Sequence, residues 1–180
     1  EVMDSAHCEL VHSYVDGLQV GARNFQNFSL LKKIGQVTAT SHKMVLYKRG
    51  FAGTIAEWLA ATDYLTAEGN DNVVLCERGI RTFETATRNT FDLNAIPALH
   101  HLTHLPVAAD PSHATGCARY VGPMALAACA AGADALEIEV HDDPANAWSD
   151  GPQALTCDEF DATMERIRAI RSAIPSPRGE

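Results

Sequence analysis

The 180-residue chain has no apolar run near the roughly 20 residues that cross a bilayer. Its first residues, Glu1 to Asp4, are acidic where a secretory leader would be basic. A cytoplasmic location is expected and a membrane role is not. Basic charge is scarce as well: 14 Lys and Arg face 23 Asp and Glu, a formal net charge of −9. Such a field repels phosphate backbones and anionic lipid, so neither nucleic acid nor a membrane surface is an expected partner. The five cysteines, Cys8, Cys76, Cys117, Cys129 and Cys157, are odd in number and form no CxxC pair, which argues against a disulfide framework. Taken singly, each reads as a small buried apolar residue. Repeats, low-complexity blocks and interdomain linkers are also missing, and the length suits one domain.

What is present is enough apolar content, 46%, to build a core. Short β-branched runs recur with helix-like stretches between them, the pattern of βα units around a parallel sheet. The runs are 17–22, 44–48, 72–77, 105–110 and 135–140, with a marginal strand over 1–4. Helical character falls on 6–15, 26–34, 54–68, 121–131 and 157–170. Thr54 with Glu57, and Thr156 with Glu159, have capping-box spacing. The 82–104 stretch is the least legible, and a tail over 173–180, containing Pro175 and Pro177, is expected to fray. The 36–43 segment, QVTATSHK, is expected to form a surface loop.

In parallel α/β folds, functional groups gather just beyond the carboxyl ends of the strands. Those positions hold Arg23, Lys48 with Arg49, Glu77 with Arg78, Asp110 with His113, and Glu139 with His141. Three of the strand ends deliver cations. One surface cation is ordinary, but several on one predicted rim of an acidic chain imply an anionic ligand. The Arg fork and the compact Lys charge suit phosphate and carboxylate. His113, Glu139 and Asp150 form a mixed N/O set suited to a divalent transition metal. The denser trio His100, His101 and His104 sits in a loop-like pattern and reads as solvated or capping.

The motifs QVGARNFQNF (19–28), YKRG (47–50), EGNDNVVLCERGIRTFETATRNT (68–90), THLPVAADPSHATG (103–116), AGADALEIEVH (131–141) and SDGPQAL (149–155) occur in this order. In them the chain resembles the 3-deoxy-D-arabino-heptulosonate 7-phosphate (DAHP) synthases, in the subgroup related to 3-deoxy-manno-octulosonate 8-phosphate synthase. The resemblance implies a (β/α)8 barrel that condenses phosphoenolpyruvate with erythrose 4-phosphate and releases phosphate, the first step of the shikimate pathway. It implies that Ala22, Arg23, Lys48 and Arg78 bind phosphoenolpyruvate, that Lys48 and His113 are catalytic, and that His113, Glu139 and Asp150 hold one divalent ion of the Mn, Fe, Co or Zn class.

A barrel of this kind has eight strands, and the motifs begin at what would be the third. The AGPC-type strand end with its cysteine ligand and the KPRTS-type loop do not occur. Cys76, beside Glu77 and Arg78, is the cysteine to test as a replacement. The expectation is thus α/β, a partial barrel over 1–172 lacking the first two strands, closed by self-association or by a partner chain. Its activity is impaired if nothing supplies those strands. Two alternatives are the sister aldol condensation with arabinose 5-phosphate and a non-catalytic remnant that binds phosphoenolpyruvate.

Overall fold

A computed structural model describes residues 1–174. The chain divides into two compact units, Glu1–Cys76 and Glu77–Glu180. In the first unit, β1 (Gly17–Val20), β2 (Met44–Lys48) and β3 (Val73–Glu77) pair in parallel in chain order, with Leu18 level with Val45 and Val45 level with Val73. The last residue of β3, Glu77, opens the second unit. Parallel neighbours require crossovers, and helices provide them: α1 (Cys8–Tyr14) precedes β1, α2 (Phe28–Thr38) joins β1 to β2, and α3 (Ile55–Thr66) joins β2 to β3.

The first unit's core is built from Leu18 and Val20 of β1, Val45 and Tyr47 of β2, Leu30 and Ile34 of α2, and Trp58 and Leu65 of α3, all at most 1% exposed. Tyr47 meets Trp58 edge-on at 6.5 Å and stacks on Phe25 at 6.0 Å. Burial pushes the Tyr47 phenol well above its usual range, so it stays protonated and donates to the Phe25 carbonyl. A Cβ on Gly50 or on Gly53 would lie 2.5 Å from the Phe25 ring, so the glycines of KRGFAG make room for the phenylalanine of GARNF.

Both expected capping boxes form. Thr54 accepts from the Glu57 N–H while the Glu57 carboxylate accepts from the Thr54 N–H, and Thr156 and Glu159 repeat the arrangement at the start of α7 (Cys157–Ala173). The bonds to Thr54 and Thr156 hold both carboxyls below the usual range, the backbone bond contributing most and the hydroxyl next.

Four expectations need correction. Residues 1–4 form no strand; Val2 is buried and donates its N–H to the Gln19 carbonyl beside β1. The loop expected over 36–43 is partly helix, because α2 runs to Thr38, whose hydroxyl turns back onto the Ile34 carbonyl at 2.8 Å. The illegible 82–104 stretch contains α4 (Ala95–Leu102). The strand expected over 135–140 shrinks to β5 (Ala135–Leu136), followed by an isolated parallel bridge from Val140 to Leu155.

In the second unit β5 pairs in parallel with β4 (Val107–Ala109), with Ala108 level with Ala135. Two helices follow β4: the single turn-and-a-half of α5 (Pro111–Thr115) and then α6 (Ala118–Ala130). Helix α6 packs against both α5 and α7. Ala125, Cys129 and Ile167 form a small core flanked by Leu136, Met164 and Ile174. Helix α7 includes Ala173, so the helix reaches into the expected 173–180 tail; residues 175–180 of that tail lie outside the described residues. No helix of the described residues is long and apolar enough to cross a membrane.

Candidate metal centre

The sequence DPSH folds locally into a helix start. Asp110 caps α5, its Oδ1 accepting from the His113 N–H at 2.9 Å, and Pro111 occupies the first turn where no N–H is needed. Gly116 ends the helix in the left-handed region at φ 68°. This short element brings His113 out just past β4, with its side chain 21% exposed.

The other oxygen of Asp110 lies 2.7 Å from His113 Nδ1, with the ring N–H off the line of the contact. Asp110 itself is fully buried. A carboxylate beside Nδ1 favours the tautomer protonated there, which puts the lone pair on Nε2. Nε2 lies 3.9 Å from Glu139 Oε2 and 3.9 Å from Asp150 Oδ2. Those separations are too long for hydrogen bonds and fall within the roughly 4.2 Å that two ligand bonds of about 2.1 Å reach through one ion. One ligand atom from each of the three residues lies within 4.8 Å of the other two. The two carboxylates carry a charge that a divalent cation balances, and with an imidazole nitrogen they make a mixed N/O set that suits a transition metal. The residues fit such an ion.

Each carboxylate is placed by its own backbone. The Glu139 N–H donates to Ser112 Oγ at 2.9 Å, which ties the segment after β5 to α5. Asp150 sits in the left-handed region at φ 56°, where Asp is among the few side chains that settle without large cost. Gly151 follows because a Cβ there would lie 2.3 Å from the Pro144 carbonyl oxygen. Asp150 Oδ1 lies 3.3 Å from Arg88 Nη1, and the same nitrogen donates to Gln153 Oε1 at 2.7 Å.

No sequence motif gives Asp110, Ser112, Arg88 or Gln153 a role at this site. The aspartate three residues before His113 was a visible helix-cap signal; the other three meet the site only through tertiary contacts. His141, although at an expected strand end, turns to the backbone: its Nδ1 accepts from the Asp143 N–H at 2.9 Å. Among the described residues no cysteine joins the His113 group, and Cys76 is fully buried in the first unit. Arg78, at the end of β3, is 3% exposed, and its neighbour Glu77 is fully buried with Oε1 accepting from the Gly79 N–H at 2.7 Å.

In the first unit Lys48 ends β2 and is 4% exposed. Ala22 and Arg23 lie in a 3-10 turn directly after β1, lining an open cleft with Asn24, Gly50 and Glu57. Of the imidazole trio, His100 is nearly buried on α4 with Nε2 at 3.1 Å from the Gly132 carbonyl, whereas His101 and His104 are exposed.

Parallel strands, helical crossovers and a cluster of metal-type side chains beyond the strand ends define an α/β protein. A family model described as the DAHP synthetase I family matches residues 1–174. The chain belongs to that family. It is 45% identical over 164 residues to the phospho-2-dehydro-3-deoxyheptonate aldolase of Thermotoga maritima, covering 91% of this chain and 47% of that protein. A 2-dehydro-3-deoxyphosphooctonate aldolase of Chelativorans sp. is 33% identical over 187 residues, covering 94% of this chain and 63% of that one. The crystal structure of the Thermotoga maritima phospho-2-dehydro-3-deoxyheptonate aldolase superposes with a TM-score of 0.92 at 43% identity, over 96% of this chain and 49% of that chain. A truncated form of 3-deoxy-D-arabino-heptulosonate 7-phosphate synthase from the same organism gives 0.90, over 95% of this chain and 64% of that chain. The fold is therefore part of a (β/α)8 barrel, and the chain spans about half the length of the first relative.

Proposed function

We propose that this chain forms the greater part of the active site of a 3-deoxy-7-phosphoheptulonate synthase, which condenses phosphoenolpyruvate with erythrose 4-phosphate and releases phosphate in the cytoplasm. The observation that carries the reading is the convergence of His113, Glu139 and Asp150, with His113 Nδ1 2.7 Å from the buried Asp110 carboxylate. These three are the proposed ligands of one divalent ion, and Mn, Fe, Co and Zn all match the donor set. Such an ion supplies Lewis acidity to the sugar aldehyde.

The chain's own residues would do the rest. Arg23 and Arg78 offer forks to the phosphate and carboxylate of phosphoenolpyruvate, Lys48 adds a compact charge, and the backbone N–H of Ala22 donates to the phosphate. Lys48 and Arg78, both nearly buried, are pre-oriented and lose little freedom when the anion binds. Holding both anionic groups brings the enol carbon to the aldehyde in a near-attack arrangement. The enol carbon bonds to the aldehyde carbon, whose oxygen takes up a proton. Water adds to the cationic carbon left at the phosphate-bearing position and gives up a proton, and the hydroxyl of the resulting hemiketal phosphate collapses to the ketone as phosphate leaves.

The sister reaction with arabinose 5-phosphate draws on more distant relatives at 30–33% identity, against 45% for the heptonate enzyme. Remaining barrel strands would come from a second copy, a partner chain or further sequence.

The test is phosphate release from phosphoenolpyruvate, erythrose 4-phosphate and Mn2+, with and without a protein covering the strands that the longer relatives add. Release that appears or rises on addition supports the assignment. Intact Mn2+ and phosphoenolpyruvate binding with no release under either condition would replace it with a binding role.

A further inference from the structure

We propose that Arg88 is a positioning residue for the metal centre: it holds one oxygen of Asp150 so that the other faces His113. The inference rests on the reading of His113, Glu139 and Asp150 as metal ligands and adds to it a residue outside that set.

The Asp150 carboxylate is divided between two neighbours. Its Oδ1 lies 3.3 Å from Arg88 Nη1, and its Oδ2 lies 3.9 Å from His113 Nε2. A carboxylate on a short loop turns about two side-chain bonds, and its 32% exposure leaves room for other rotamers. Arg88 removes that freedom because it is itself fixed at both ends. Its guanidinium donates to Gln153 Oε1 at 2.7 Å, and Gln153 is 2% exposed. Its backbone N–H donates to the Thr115 carbonyl at 3.1 Å, and Asn89 next to it donates to the Ala114 and His113 carbonyls at 2.9 and 3.0 Å. The segment carrying Arg88 is thus bonded to the same short helix that carries His113.

Gly116 is part of this arrangement, since a Cβ there would lie 2.6 Å from the Arg88 Cβ. Arg88 consequently transmits the position of α5, and of His113, to a carboxylate 62 residues further along the chain. It also leaves a single oxygen of Asp150 for the ion.

A cation beside a ligand has an opposing effect, because its charge repels the metal. Arg88 is 39% exposed, so solvent screens that repulsion, while loss of a ligand's orienting partner typically lowers metal affinity about 10- to 100-fold. Positioning should win, and the two effects differ in sign.

The experiment is Mn2+ titration of the full 180-residue chain, followed by electron paramagnetic resonance and calorimetry, on the parent, Arg88→Ala, Arg88→Lys, Gln153→Leu and Asp150→Asn, with metal-free melting recorded for each. Arg88→Ala should weaken Mn2+ binding about 10- to 100-fold and broaden the Mn2+ spectrum. Arg88→Lys should recover part of the loss, since Lys keeps the charge without the fork. Gln153→Leu, which removes the guanidinium's anchor and leaves the charge, should fall between them and serves if Arg88→Ala does not fold. Parental affinity in both Arg88→Ala and Gln153→Leu, or tighter binding in Arg88→Ala, with Asp150→Asn impaired, would overturn the role of Arg88 alone. Parental affinity in Asp150→Asn, or no uptake by the parent, would instead overturn the metal reading and the positioning role with it.

Discussion

His113 Nδ1 and Asp110 Oδ2 are 2.7 Å apart, and the other oxygen of the same aspartate caps the helix that carries the histidine. One buried carboxylate therefore both starts α5 and lies against the imidazole nitrogen whose protonation would set the tautomer. Asp110→Asn should separate these tasks. Asn caps a helix about as well as Asp, but its single side-chain oxygen cannot accept from both the His113 N–H and Nδ1. Mn2+ affinity should fall about 10- to 100-fold with little change in melting temperature. Calorimetric titration checks this, and unchanged affinity would show that the tautomer is set by another group.

Gly151→Ala should disable the candidate metal centre from a residue outside the proposed ligand set. The added Cβ would meet the Pro144 carbonyl oxygen at 2.3 Å, and backbone cannot give way as a side-chain tip can. The turn must then move and take Asp150 with it. The expected result is weaker Mn2+ binding while far-ultraviolet circular dichroism stays at the parental value.

Trp58→Ala should destabilise the first unit by roughly 3–5 kcal/mol, the usual cost of emptying a core aromatic site. Trp58 is fully buried and receives Tyr47 at its edge. Hydrogen exchange of the α2 and α3 amides under native conditions would report the loss. Protection at the parental level there would contradict it.

Acid should loosen the first turns of α3 and α7. Glu57 and Glu159 have carboxyls held below the usual range by bonds to Thr54 and Thr156. A depressed folded-state value means that the stabilisation is complete above the unfolded carboxyl value of about 4.3 and disappears as pH falls through the folded one. Amide exchange at these turns should therefore accelerate, beyond its intrinsic pH dependence, as the solution is taken below about pH 4. Glu57→Gln and Glu159→Gln keep a neutral acceptor in the box and should abolish that pH dependence.

Much of the fold could be read from local pattern. Runs such as MVLYK and NVVLC are β-branched, short and bounded by turn residues, and they became β2 and β3. The spacing of Thr54 with Glu57 and of Thr156 with Glu159 became capping boxes because that device needs only four consecutive residues. Helix α4 was obscured because AIPALHHL carries Pro97 and two histidines; the proline falls in the first turn, where a missing N–H costs little. The strand expected over 135–140 was overextended because apolar alternation continues through ALEIEV, although its last residue pairs only with Leu155, well beyond the strand.

For the candidate site, the sequence by itself determined which side chains are available. His113, Glu139 and Asp150 each follow a recognisable motif, and their donor chemistry is a property of the residue type. Only the tertiary structure decided that their ligand atoms share one small volume, that Asp110 and not solvent meets Nδ1, and that Arg88 reaches Asp150 across 62 intervening steps of chain. The physical reason is range. Capping, turn chemistry and strand periodicity act over a few bonds and leave a mark on neighbouring letters. The placement of a guanidinium against a distant carboxylate depends on how whole elements pack, and no short stretch of sequence encodes it.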